Sequence, residues 1–139
     1  MASPTTTLIR RIVLVGNGLT FLLIAIAVLF AVDKVAYIYG YTLNGIGGHN
    51  EFRAVYMGFW VGLTILFFIA TWKINQPLLG DLALLMVLLQ SMGRLLSFVI
   101  DGKPPVQYIL VFFLELSTSV FGLIMRPQPR TTQANSSSD

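Results

Sequence analysis

No cysteine occurs among the 139 residues, which excludes disulfides, thiolate nucleophiles and cysteine-based metal sites. A single histidine, His49, excludes multi-histidine metal centres, so neither a metal nor a cofactor is expected. Charge is scarce too. Charged residues make up 11% of the chain, against about 25% in soluble domains, whose surfaces must face water. The chain therefore lacks the polar groups to cover a soluble surface. Its net charge of +3 does not indicate nucleic-acid binding, because the nine Lys and Arg are scattered along the chain with no basic patch. Such spacing suits membrane edges.

What is present is apolar: 55% hydrophobic residues and a mean hydropathy of +0.77. Four windows approach the roughly 20 residues a spanning helix needs, at 13–32, 54–72, 78–100 and 106–125. The expected fold is all-α, a membrane-embedded antiparallel four-helix bundle over residues 12–125. A short N-terminus, 1–11, precedes it, and a polar tail, 126–139, too rich in Ser, Thr, Gln and Asn to fold alone, follows. The first window exceeds the roughly 7–15 apolar residues of a cleaved signal peptide, so it reads as an anchor. Pro77 and Pro105 stand where the third and fourth helices open, and a missing N–H is tolerated there.

Residues 73–77 and 101–105 are connections that join antiparallel neighbours only. The stretch 33–52 reads as a longer loop, with Asn44-Gly45 and Gly47-Gly48 as turn signals. Its Tyr37, Tyr39 and Tyr41 suit the lipid headgroup level. Asn50 is expected to cap the second helix, with Glu51 in its first turn favoured by the helix dipole. Four spans put both termini and the 73–77 loop on one side, with Arg10, Arg11, Lys73, Arg126 and Arg130. Lys34, Arg53 and Lys103 fall on the other. This bias predicts cytoplasmic termini.

The chemistry-bearing residues are the polar ones at depth. Arg94 lies inside the third window and Glu115 near the centre of the fourth. Burying one such charge in a bilayer costs roughly 2.5–3.5 kcal/mol on insertion scales, so each needs a partner or a purpose. Arg94 lies about 10 Å from the edge at Asp101, and Glu115 about 15 Å from the edge at Pro105, at about 1.5 Å per residue. An arginine stem spans that difference, which predicts an Arg94–Glu115 salt bridge. Gln90, Arg94, Ser97 and Asp101 share one helix face by spacing, as do Tyr108, Glu115, Thr118, Ser119 and Gly122. Arg53 and Tyr56 lead down the second helix to Trp60, where Gly58 and Gly62 form a GxxxG pattern that permits close helix approach.

The segment Glu51-Phe52-Arg53-Ala54-Val55-Tyr56-Met57-Gly58 resembles the acidic-x-Arg-Ala-x-Tyr-x-Gly signature of a bacterial family of small four-helix membrane proteins of unknown function. Gly93-Arg94 with Ser97, Asp101-Gly102-Lys103-Pro104 and Glu115 resemble its other signatures, so the likeness covers about residues 10–125. The second helix of that family often carries two glycines after the tyrosine, and here Met57 replaces the first. The resemblance implies a fold, a location in a bacterial inner membrane, and a polar set of Glu51, Arg53, Tyr56, Arg94, Asp101 and Glu115. It implies no activity.

Three functions fit this sequence, of which the first is the expected one, with Arg94 and Glu115 closed on each other, and the other two are alternatives. The first is an accessory or structural membrane component, partnered with another subunit and pinned by Arg94–Glu115 and Glu51–Arg53. The second is an intramembrane enzyme or binding protein for an apolar lipid, terpenoid or quinone. There Glu115 would serve as catalytic acid–base group, Arg94 would orient it, and Asp101 and Tyr56 would hold a headgroup. The third is a small proton-coupled transporter, disfavoured because Arg94 would compete with cationic cargo for Glu115.

Overall fold

The computed structural model describes residues 4–126 and is helical throughout, with no strand among them. The elements are α1 (Pro4–Ile38), α2 (Gly45–Arg53), a π-helical segment (Ala54–Phe59), α3 (Trp60–Trp72), α4 (Pro77–Ile100) and α5 (Val106–Ile124). Because α2, the π-helical segment and α3 run on without a break, the bundle has four spans, each long and apolar enough to cross a membrane. The tail beyond Arg126, expected to be unstructured, lies outside the described residues, as does Arg130.

The first two apolar windows sit inside longer helices, and the third and fourth match α4 and α5 to within a residue. α1 opens at Pro4, the first-turn position that proline suits. It closes in a Schellman turn, in which Tyr41 N–H donates to Ala36 O and Gly40 N–H to Tyr37 O. Gly40 takes the left-handed backbone (φ +76) that this turn requires. The expected loop 33–52 is therefore mostly helix, and only 39–44 connects α1 to α2. Asn44, not Asn50, occupies the N-cap position, and Asn50 and Glu51 lie within α2. The turn signal at Asn44-Gly45 marks a helix start, since Gly45 (φ +61) turns the chain into it.

α1 packs along α3, α3 along α4, and α4 along α5. The main core lies between the first three, from Leu14, Phe21, Trp60, Leu63, Phe67, Leu84 and Val87. Close approach of α1 to α3 depends on Gly18, where a Cβ would come 3.1 Å from Cβ of Phe67. Gly18 O also accepts from Thr64 Oγ1 at 3.3 Å. Gly58 and Gly62 do not serve this purpose. A Cβ on Gly62 would meet nothing within 4 Å, and one on Gly58 only its own chain at Arg53 O. Both glycines are exposed, on the side of the helix away from the buried Trp60, Leu63 and Phe67, so the GxxxG pattern faces outward.

One end of the bundle is clamped by a pair that sequence spacing did not bring together. Arg10 is 1% exposed. It donates from Nη2 to Asp81 Oδ1 (2.6 Å) and Pro77 O (3.0 Å), and from Nη1 to Gly122 O (3.1 Å). Arg126 Nε approaches the other oxygen of Asp81 at 2.8 Å. Arg10 thus ties α1 to the first turns of α4 and the last turn of α5, and is not the free edge charge the orientation argument assumed. Gly80 makes the space for it, since a Cβ there would stand 2.7 Å from Nη2.

Candidate functional site

Where α4 and α5 pack, Arg94 and Glu115 meet. Arg94 Nε donates to Glu115 Oε2 at 2.8 Å and Nη2 to Oε1 at 3.1 Å, a two-point contact. Gln90 Nε2, one turn earlier on α4, donates to the same Oε1 at 2.8 Å. Glu115 of α5 is thus held by three donors, all from α4, and both of its oxygens are occupied. The side chains remain partly accessible, 21% for Arg94 and 12% for Glu115. What they face is a cavity of about 440 Å³, within the size range of small-molecule sites.

The cavity is a slot with two unlike walls. Gln90, Arg94, Glu115 and Thr118 form the polar wall, on α4 and α5. Phe21 of α1, Trp60 of α3 and Tyr39, just past the end of α1, form an aromatic wall opposite. Ile12, Gly16 and Thr20 of α1 face Val111 and Leu114 of α5 across the rim, all of them exposed. The ends of this α1–α5 seam are tied by Arg10 to Gly122 O and, at the other end, by Tyr108 Oη donating to Ile38 O at 3.2 Å. Asn17 and Thr20, the polar interruptions of the first window, donate back to Val13 O and Gly16 O of their own helix, both at 2.9 Å.

A bend in α1 builds the aromatic wall. Phe21 and Tyr39 both touch the Trp60 ring, at centroid distances of 5.2 and 6.4 Å. Eighteen residues of straight helix would separate them by about 27 Å. Ala31 (φ −147, ψ 48) breaks the helical path and lets the end of α1 turn back over the bundle. No proline or glycine lies nearby. The bend stands opposite the π-helical segment, where Val28, Val32, Val35 and Ala36 pack on Phe52 and Tyr56. The Tyr39 phenol, un-ionised at physiological pH, offers a hydrogen-bond donor to the slot.

Of the residues singled out by sequence, the structure brings Gln90, Arg94, Glu115 and Thr118 together on the slot's polar wall and leaves the other polar candidates apart. Glu51 and Arg53 are both exposed on α2, and no ion pair joins them, so they are not the pin expected of them. Asp101 is exposed at the end of α4, where it accepts from Ser97 Oγ at 2.8 Å. Tyr56 stacks on Phe52 at 4.3 Å and donates to Tyr41 Oη at 3.3 Å, behind the slot's lining. Ser119 and Gly122 point to the bundle interior, with Ser119 Oγ donating to Glu115 O. Tyr39 and Trp60 complete the slot but carried no site signal in the sequence, because only the bend at Ala31 unites them. The described residues include no cluster of three His, Cys, Asp or Glu able to hold a metal ion.

These features define a small multi-pass integral membrane protein, an all-α bundle of four spans with a polar-walled slot between its helix pairs. The chain belongs to DUF4345, a family described as a domain of unknown function, whose model matches residues 9–125. No curated protein and no solved structure matches it.

Proposed function

We propose that this protein binds one apolar, lipid-like molecule in the slot, with its polar end against the Gln90–Arg94–Glu115 wall. The observation that carries this reading is the pairing of an accessible, charge-compensated polar cluster with an otherwise apolar cavity at bilayer depth. A purely structural pin would be expected to bury its ions against packed side chains. The exposed rim at the α1–α5 seam supports entry from the bilayer, not from water. An accessory or structural role leaves the slot without a purpose.

The occupied state of Glu115 favours a holding role over proton transfer. With both oxygens engaged, its task is to orient and neutralise Arg94, so we assign binding to the site and no catalytic step. We further propose cytoplasmic termini in a bacterial inner membrane, on the sequence excess of Arg10, Arg11, Lys73, Arg126 and Arg130 over Lys34, Arg53 and Lys103.

Trp60 reports on the slot directly. In a Trp72→Phe background, with the protein in bilayer nanodiscs, dibrominated octadecyl chains bearing different heads should quench Trp60 saturably. Gly16→Phe should abolish the saturable component, because position 16 faces open slot and nothing stands within 4 Å of its Cβ direction. Linear quenching by every chain, unchanged by Gly16→Phe, would overturn the reading.

A further inference from the structure

We infer that the molecule held in the slot is a single-chain lipid with a neutral, oxygen-accepting head such as an ester or ketone carbonyl, gripped between Arg94 and Tyr39. This rests on the proposed binding role and specifies its ligand.

The shape of the slot selects one chain. Its lining runs along α1 from Ile12 to Ile24, about 18 Å at the helical rise. A volume of about 440 Å³ spread over that length is narrow and elongated, the shape of a single extended chain.

The head follows from the unused hydrogen-bonding atoms. Arg94 spends Nε and Nη2 on Glu115, while Nη1 makes no hydrogen bond among the described residues. The Tyr39 hydroxyl makes none either. Neither atom is buried, because every fully buried side-chain nitrogen or oxygen among the described residues has a partner. Both residues line the slot, from opposite walls, and both offer donors. A carbonyl oxygen accepts two such bonds at once. Charge then narrows the choice. The formal charges of Arg94 and Glu115 cancel at 2.8 Å. An anionic head would meet the Glu115 carboxylate, and a cationic one the guanidinium, with neither charge compensated in a low-dielectric site. A head without polar atoms would leave both donors unmet.

The test ranks three ligands that share one chain, by saturable Trp60 quenching in the Trp72→Phe protein. They are methyl dibromostearate, ionised dibromostearate well above its membrane pKa, and headless dibromo-octadecane. The ester should bind about tenfold more tightly than either of the others, the difference one charge-assisted hydrogen bond makes. Tyr39→Phe keeps the ring contacts with Trp60 and Tyr56 and should weaken the ester several-fold while leaving the alkane unchanged. A carboxylate that binds as well as the ester overturns the neutral head, and an ester indifferent to Tyr39→Phe overturns the grip. Equal binding of ester and alkane means that the slot takes any bilayer chain and overturns the inference alone. If none of the three saturates, the binding role itself fails.

Discussion

Nη2 of Arg10 and Oδ1 of Asp81 lie 2.6 Å apart, joining the first turns of α1 to the first turns of α4 across 71 residues of chain. The guanidinium is almost wholly enclosed, so its charge depends on this carboxylate and on two backbone carbonyls. Asp81→Asn should therefore destabilise the bundle by about 3 kcal/mol, the penalty for leaving a buried charge without its partner. Arg10→Met combined with Asp81→Asn should cost less than the sum of the single changes. Reversible unfolding in mixed micelles, run as a double-mutant cycle, measures this. Additive effects would show that the pair is not coupled.

The glycines divide into those that admit a neighbour and those that do not. Gly18→Val should destabilise by about 1–3 kcal/mol through overpacking on Phe67. Gly62→Ala should be neutral or stabilising by up to about 1 kcal/mol, since alanine is the better helix former and meets open space. The same unfolding measurement decides, and destabilisation by Gly62→Ala would restore the GxxxG contact that the sequence suggested.

The slot's polar wall separates stability from binding. Arg94→Met leaves Glu115 charged at depth, with Gln90 as its only remaining side-chain donor, and should destabilise by about 3 kcal/mol. Arg94→Met with Glu115→Met removes both charges and should recover most of that loss while weakening ester binding about tenfold. A double variant with full ester affinity would remove Arg94 from the binding site.

Orientation can be read directly because the chain has no cysteine. Lys73→Cys and Lys103→Cys introduce single thiols on exposed residues at opposite ends of the bundle. In intact bacterial cells, a membrane-impermeant maleimide should label position 103 and spare position 73 until the membrane is permeabilised. The reverse pattern would place both termini outside.

How much of this was legible in the sequence follows from the range of each interaction. Four spans were readable because bilayer thickness demands long apolar runs, and these appear without any partner in view. Arg94 and Glu115 could be paired because antiparallel helices joined by a short turn have correlated depths, so position along the chain predicts height. Arg10 and Asp81 defeated the same logic. They lie on α1 and α4, which no short turn connects, and Arg10 looked like an edge charge.

The sequence by itself thus determined that this is a four-span membrane protein with an Arg–Glu pair inside. Hydrophobic runs and isolated charges are local properties, and the bilayer imposes one answer on them. Only the tertiary structure decided whether that pair is sealed or faces space, and what stands opposite. The slot exists because α1 bends at Ala31 and returns Tyr39 to Trp60, opposite a polar wall carried by two other helices. No proline or glycine marks that bend. It arises where one helix meets the irregular turn of another, and a contact of that kind belongs to the packed bundle rather than to any segment of it.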